Sequence, residues 1–171
     1  MKIKNALRFS KITLFMGFSF FAITTPVSAQ TAVASDSAKT ATYQFTYQLL
    51  QKTSVCIYEG QKWEIVGKIY TNELAKAIQH QQYACKLYAE GNYKDAIIQS
   101  YRARVITMGV IRANKGTVNP YFQFTEEEKK WLQNAPDDKT IDDAAQKNST
   151  MISMKDSDYA SGGIADIVPE K

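Results

Sequence analysis

Between Gln61 and Asn114 apolar residues return at every third or fourth position, and nothing else in the chain limits its fold so tightly. Trp63, Val66, Ile69/Tyr70, Leu74, Ala77/Ile78, Gln81, Ala84/Cys85 and Tyr88 make a stripe over residues 61–89, and that spacing falls on one face only in a helix. Gly67 and Thr71-Asn72 leave open whether this stretch is one helix or two. From Tyr93 to about Asn114 the pattern is apolar on two sides. Ala96, Ile97, Ser100, Ala103 and Val110 or Ile111 form one side, and Ile98, Tyr101, Val105 and Met108 form the other. A helix greasy over most of its circumference is sandwiched between neighbours, so this one is expected at the centre.

The punctuation agrees with helices. Gly60 and Gly91 each follow a Glu and are expected to end helices as left-handed C-terminal caps. Asn92 is placed to cap the next helix, with Asp95 near its positive end. Lys115-Gly116 closes that helix and Asn119-Pro120 prevents its continuation. Thr125 and Glu128 have capping-box spacing, and Trp131-Leu132 anchor the short helix they start. Residues 43–59 fit two patterns: Tyr43, Phe45, Tyr47 and Leu49 alternate as in a strand, whereas Tyr43, Tyr47, Leu50, Ser54 and Ile57 share a helical face. No hairpin turn or partner strand is near, and a lone strand leaves its backbone unsatisfied, so helix is expected. The fold class is therefore all-α, a small antiparallel bundle over residues 43–134 with an extra N-terminal helix and a short C-terminal one.

The N-terminus carries an address. Lys2, Lys4, Arg8 and Lys11 precede an apolar run from Ile12 to Ile23, Pro26 breaks it, and Val27-Ser28-Ala29 supplies small residues before Gln30. That order is expected of a secretory signal, residues 1–29, cleaved after Ala29 to leave a periplasmic or extracellular protein. The apolar run is short for a bilayer span of about twenty residues. Residues 30–42 are small and polar and read as a flexible linker. Residues 135–171 are rich in Asp, Lys, Ser and Thr and read as an acidic, largely disordered tail, with a brief helix near Ile141–Gln146.

Export changes the charge argument. The chain holds 21 basic and 17 acidic residues. Four of the basic ones lie in the signal, so the remainder is neutral and its pI gives no reason to expect nucleic acid. Cys56 and Cys85 both lie beyond the signal. An oxidising compartment invites a disulfide between them, worth roughly 3–4 kcal/mol for a loop of about 30 residues; two small buried hydrophobes are the alternative.

Residues 83–106 then read Tyr83-Ala84-Cys85-Lys86-Leu87-Tyr88-Ala89-Glu90-Gly91-Asn92-Tyr93-Lys94-Asp95-Ala96-Ile97 and continue through Ala103 to Ile106. This stretch resembles the centre of a tetratricopeptide repeat, with Ala84, Gly91, Tyr93, Ala96, Ile97 and Ala103 at matching positions. It departs from that pattern at His80, Ser100 and Met108, and no second copy is evident where repeat arrays need about three. The resemblance implies a helical hairpin that binds extended peptides, with Ile78, Gln81, Cys85 and Tyr88 at the groove positions. In a lone hairpin the helix formed by residues 43–59 is the natural cover for those positions.

Candidate chemistry is sparse. His80 is the single histidine; glutamines flank it, no acid lies within a turn, and a polar helix surface is its expected place. Glu126-Glu127-Glu128 suits the first turn of a helix. Neither a metal-ligand set nor a phosphate loop nor a nucleophile elbow is present in the sequence, and no catalytic residue or cofactor is expected. Arg102, Arg104, Arg112 and Lys115 form the most basic stretch, a candidate face for a protein partner, an anionic lipid or a glycan. The functional expectation is an exported helical interaction or structural module. The alternatives are an envelope-surface binder of anionic lipid or polysaccharide, and an enzyme with a site of unfamiliar form.

Overall fold

The structure, a computed structural model, describes residues 28–148 and 155–170. Its regular elements are all helical: α1 (Ser28–Gly67), α2 (Glu73–Ala89), α3 (Tyr93–Lys115), α4 (Glu126–Trp131), α5 (Asp138–Asn148) and α6 (Asp156–Ser161), with a 3-10 turn at Pro120–Phe122. The chain is an all-α bundle. Most of the proposed signal, residues 1–27, lies outside the described residues. Residues 30–42, expected as a flexible linker, instead belong to α1. Their alanines favour helix, and extending a helix already anchored downstream costs far less than nucleating one.

Gly60 corrects a second expectation, because α1 runs straight through it. A Cβ there would meet Thr107 Cγ2 at 2.7 Å, with Leu74 Cδ1 at 3.6 Å. The glycine lets α1 approach α3 closely rather than ending a helix. The break falls instead at residues 68–72, where Lys68 (φ 57°) and Asn72 (φ 63°) are left-handed. Asn114 of α3 holds this turn: its Oδ1 accepts from Ile69 N (3.0 Å) and its Nδ2 donates to Ile69 O (3.1 Å).

The α2–α3 hairpin follows its sequence signals. Gly91 (φ 77°) closes α2 with paired bonds, Asn92 N to Leu87 O (2.8 Å) and Gly91 N to Tyr88 O (3.0 Å), the double-bonded glycine cap. Asn92 caps α3 through Asp95 N, and Gly116 (φ 85°) ends it. The Thr125–Glu128 capping box is present at α4. α3 lies between α1 and α2, as its two apolar sides require. The helices run to 40, 17 and 23 residues, and among the described residues no unit repeats the α2–α3 pair.

The acidic tail is the largest departure. Its described parts return to the bundle and complete it. Ile141 and Ala145 of α5 are buried, and Tyr159, Ile164 and Ile167 join Ile57, Leu74, Ala75, Ile78, Ala103 and Val110 in one core cluster. Apolar residues this widely spaced carry no periodic signal, yet Ile141 and Ala145 pack on α2 and α3 while Tyr159, Ile164 and Ile167 enter the core beside Ile57 of α1 and Leu74 of α2. A second cluster closes the other end, where Tyr43 stacks on Tyr88 (5.1 Å between centroids) and meets Tyr93 edge-on (5.9 Å).

Candidate interaction groove

On α1, Gln48, Gln51, Val55 and Tyr58 recur at three- and four-residue steps on a side that neither α2 nor α3 covers. Asn119 accepts from Tyr121 N (2.9 Å) and starts the 3-10 turn, which sets Tyr121 opposite that side. The α4 capping box adds Thr125, Glu127 and Glu128, and Val168 closes one end. Together these residues line an open groove of about 700 Å³. Its rim is apolar and wet: Val55 is 53% exposed, Tyr58 42%, Tyr121 59% and Val168 48%.

The floor is ionic and built around Glu128. Lys52 Nζ donates to Gln123 O (3.0 Å) and to Glu128 Oε1 (3.3 Å). Arg104 Nη2 donates to the same Oε1 (2.8 Å), and Thr125 N to Glu128 Oε2 (2.7 Å). Burial opposes ionisation of Glu128, but the Thr125 N–H, Arg104 and Lys52 together hold its carboxyl below the ordinary value. The Arg104 guanidinium also lies 4.5 Å from the Phe124 ring centroid, a cation–π contact. Glu127 also lines the groove, so Lys52 and Arg104 stand against two carboxylates, and Arg104 Nε and Nη1 are buried without a hydrogen-bond partner.

The residues singled out from the sequence are distributed differently than expected. Ile78, Gln81 and Tyr88 are buried, so the groove positions implied by the hairpin are covered. α1 covers them, as the sequence suggested, but so does the C-terminal segment: Gln81 Nε2 donates to Leu50 O (3.0 Å) and to Ile167 O (3.0 Å). The basic face dissolves. Arg104 is fully buried, and Arg102 is tied to Asp142 (2.8 Å) and Asp138 (2.8 Å). Lys115 lies 3.7 Å from Glu59 and over the Trp63 ring, and Arg112 is exposed. Burial on one face and carboxylates from the supposed tail consume the charge that the sequence displays.

The Cys56–Cys85 bridge is also absent, since both are free thiols. Cys56 packs with Met108, Ile111 and Phe122, whereas Cys85 borders the tyrosine cluster at the other end. Burial pushes both thiols up to about 12.

His80 is not a surface residue; it is 1% exposed. Its Nδ1 faces Gln99 Oε1 at 2.7 Å and its Nε2 faces Asp142 Oδ1 at 3.2 Å. Asp142 also accepts from Arg102 Nε (2.8 Å) and Lys76 Nζ (2.6 Å). Burial works against the Asp142 carboxylate, yet the Arg102 and Lys76 hydrogen bonds keep it well below the ordinary carboxyl range. Burial lowers His80 as well, against the raising effect of Gln99 and Asp142. This network fastens α5 to α2 and α3.

Among the described residues no three His, Cys, Asp or Glu side chains are grouped to hold a metal ion, and no helix is long and apolar enough to cross a membrane. No family model, curated protein or solved structure matches the chain. The site therefore has to be read from its own chemistry. Lys52, Val55, Tyr58 and Tyr121 are its main residues, and none was singled out from the sequence. Their one legible signal was a 48–51–55–58 spacing left over once the core-facing positions of the same helix had been assigned.

Proposed function

We propose that this protein is an exported helical interaction module of the periplasm or cell envelope, holding a protein partner in the groove beside α1. The observation that carries the reading is an exposed apolar rim over a floor where Lys52 and Arg104 share the Glu128 carboxylate. A partner's apolar side chains would release water from Val55, Tyr58, Tyr121 and Val168. Glu128, held in its charged form by the Thr125 N–H, Arg104 and Lys52, is poorly placed for proton transfer. The basic N-terminal residues, short apolar run and small-residue tail support export.

A photo-crosslinker at position 121 tests the groove in intact cells. It is expected to give one discrete protein adduct, lost when Val55→Asp and Tyr58→Glu are combined in a chain with unchanged circular dichroism. An adduct that survives the double variant refutes the groove. Fusing residues 1–40 to a reporter active only outside the cytoplasm tests the address, and an inactive fusion removes it. Burial of Arg104 and pairing of Arg102 make the anionic-lipid alternative the less favoured reading, since Arg112 and Lys115 are the charges of that face left exposed. Two charges contribute only about 2 kcal/mol at a membrane surface.

A further inference from the structure

Residues 162–170 cross the other side of α1, between it and α2, without regular structure. Side-chain amides hold their carbonyls. Gln61 Nε2 donates to Gly162 O (3.1 Å), Gln82 Nε2 to Ala165 O (3.0 Å) and Gln81 Nε2 to Ile167 O (3.0 Å), and Ser54 Oγ also donates to Ile167 O. Ile164 and Ile167, three residues apart, fill the sockets beside Ile57, Leu74 and Ile78. Among the described residues the segment makes no backbone–backbone hydrogen bond. The seat thus grips main-chain carbonyls and two aliphatic side chains, and none of these contacts requires the occupant to belong to the same chain.

The resident fits imperfectly at its upstream end. Asp156 Oδ1 accepts from Ala75 N in the first turn of α2 (2.8 Å). Asp156 Oδ2 and both oxygens of Glu64 are buried together with no donor group from another residue. Burial raises Glu64, and the Asp156 carboxyl beside it, its one hydrogen-bonding neighbour there, raises it further. An asparagine in the place of Asp156 would keep the bond from Ala75 N and turn its amide N–H toward Glu64. Gln81 Oε1 is likewise buried without a donor.

We propose that the α1–α2 groove is an acceptor site for a segment of a partner protein, a short helix followed by extended chain, with residues 156–170 as its displaceable resident. The favoured occupant carries an amide side chain where the resident has Asp156, and aliphatic side chains eight and eleven positions later. This goes beyond the open groove described above, which shares Ser54 and Val168 with it, and its peptide test reads neither export nor an adduct at position 121.

The test uses the full chain and labelled synthetic peptides spanning residues 155–171, one unchanged and one with Asp156→Asn. Wild type, its seat filled, is expected to bind neither peptide. The full chain with Ile164→Asp and Ile167→Asp is expected to bind both, the asparagine peptide at least tenfold tighter. Adding Glu64→Gln should erase that preference. A folded double variant that binds neither peptide overturns the proposal. Hydrogen exchange on wild type decides the matter if the variant does not fold. Exchange of the Ala75 amide, whose acceptor is Asp156, before the other α2–α3 amides supports displacement, and exchange together with them overturns it. A wild-type dimer abolished by the two isoleucine substitutions would assign the seat to a second copy and overturn the commitment to a different partner.

Discussion

Gly60 and Thr107 meet where α1 packs closely on α3, and Thr107 Oγ1 is fixed by its bond to Ala103 O (2.8 Å). Alanine at position 60 gains about 1 kcal/mol of helix propensity but forces an overpacked contact that typically costs about 1–3 kcal/mol. Gly60→Ala is therefore expected to be destabilising by about 1 kcal/mol in urea titration, and Thr107→Ser in the same chain should recover most of the loss. An unchanged or raised midpoint for Gly60→Ala alone would show that α3 yields. The cysteines admit a simpler check. Buried thiols pushed up to about 12 are almost wholly protonated at pH 8 and should resist alkylation in the native protein. Unfolding without reductant is expected to expose two labelled thiols by mass; none would restore the disulfide. His80 shows why residue-scale reading stopped short. Its surroundings in sequence are glutamines, and its acidic partner arrives on α5, an element that composition assigned to a disordered tail.

At the scale of elements, carboxyls govern how the tail is held, and they act at opposite ends of the pH range. Asp142 and Glu128 have depressed values in the fold, so their contribution is present above the unfolded carboxyl range of about 4 and is lost as pH falls. α5 amides should accordingly exchange faster at pH 3 than at pH 6. Asp142→Ala should bring the fast exchange to pH 6 at a cost of about 1–3 kcal/mol, because Arg102, Lys76 and His80 lose their shared acceptor. Equal α5 protection in variant and wild type would refute that anchoring role. Glu64 behaves oppositely. Burial, then the neighbouring Asp156 charge, raises it from 4.5 to about 8. The folded protein keeps this proton after the unfolded chain has lost it, so the contribution is complete below about pH 4.5 and disappears as pH rises through about 8. Glu64→Gln is expected to remove the fall in Tm between pH 6 and pH 9; a variant that melts earlier at pH 9, as wild type does, would assign the alkaline loss elsewhere.

For the molecule as a whole, the sequence by itself determined most features of residues 43–134 whose cause lies within about four residues. The all-α class, the two-sided α3, the glycine cap at Gly91, the Asn92 cap and the Thr125–Glu128 box all rest on i to i+4 spacing, and they stand as read. Gly60 misled because one residue type serves both a left-handed cap and a close helix approach, and only the position of α3 separates the two uses. Arg104 looked like surface because a charged residue usually is, until Glu128 and Phe124 meet it from another element. The tail looked disordered because Ile141, Tyr159, Ile164 and Ile167 are too few and too far apart to form a stripe; they need sockets that other helices build. Tertiary structure alone decided the return of the tail, the burial of His80 and Arg104, the separation of the cysteines and the face of α1 left open. Each depends on groups distant in the chain coming together, and the free energy of such a meeting is written in neither partner's local sequence.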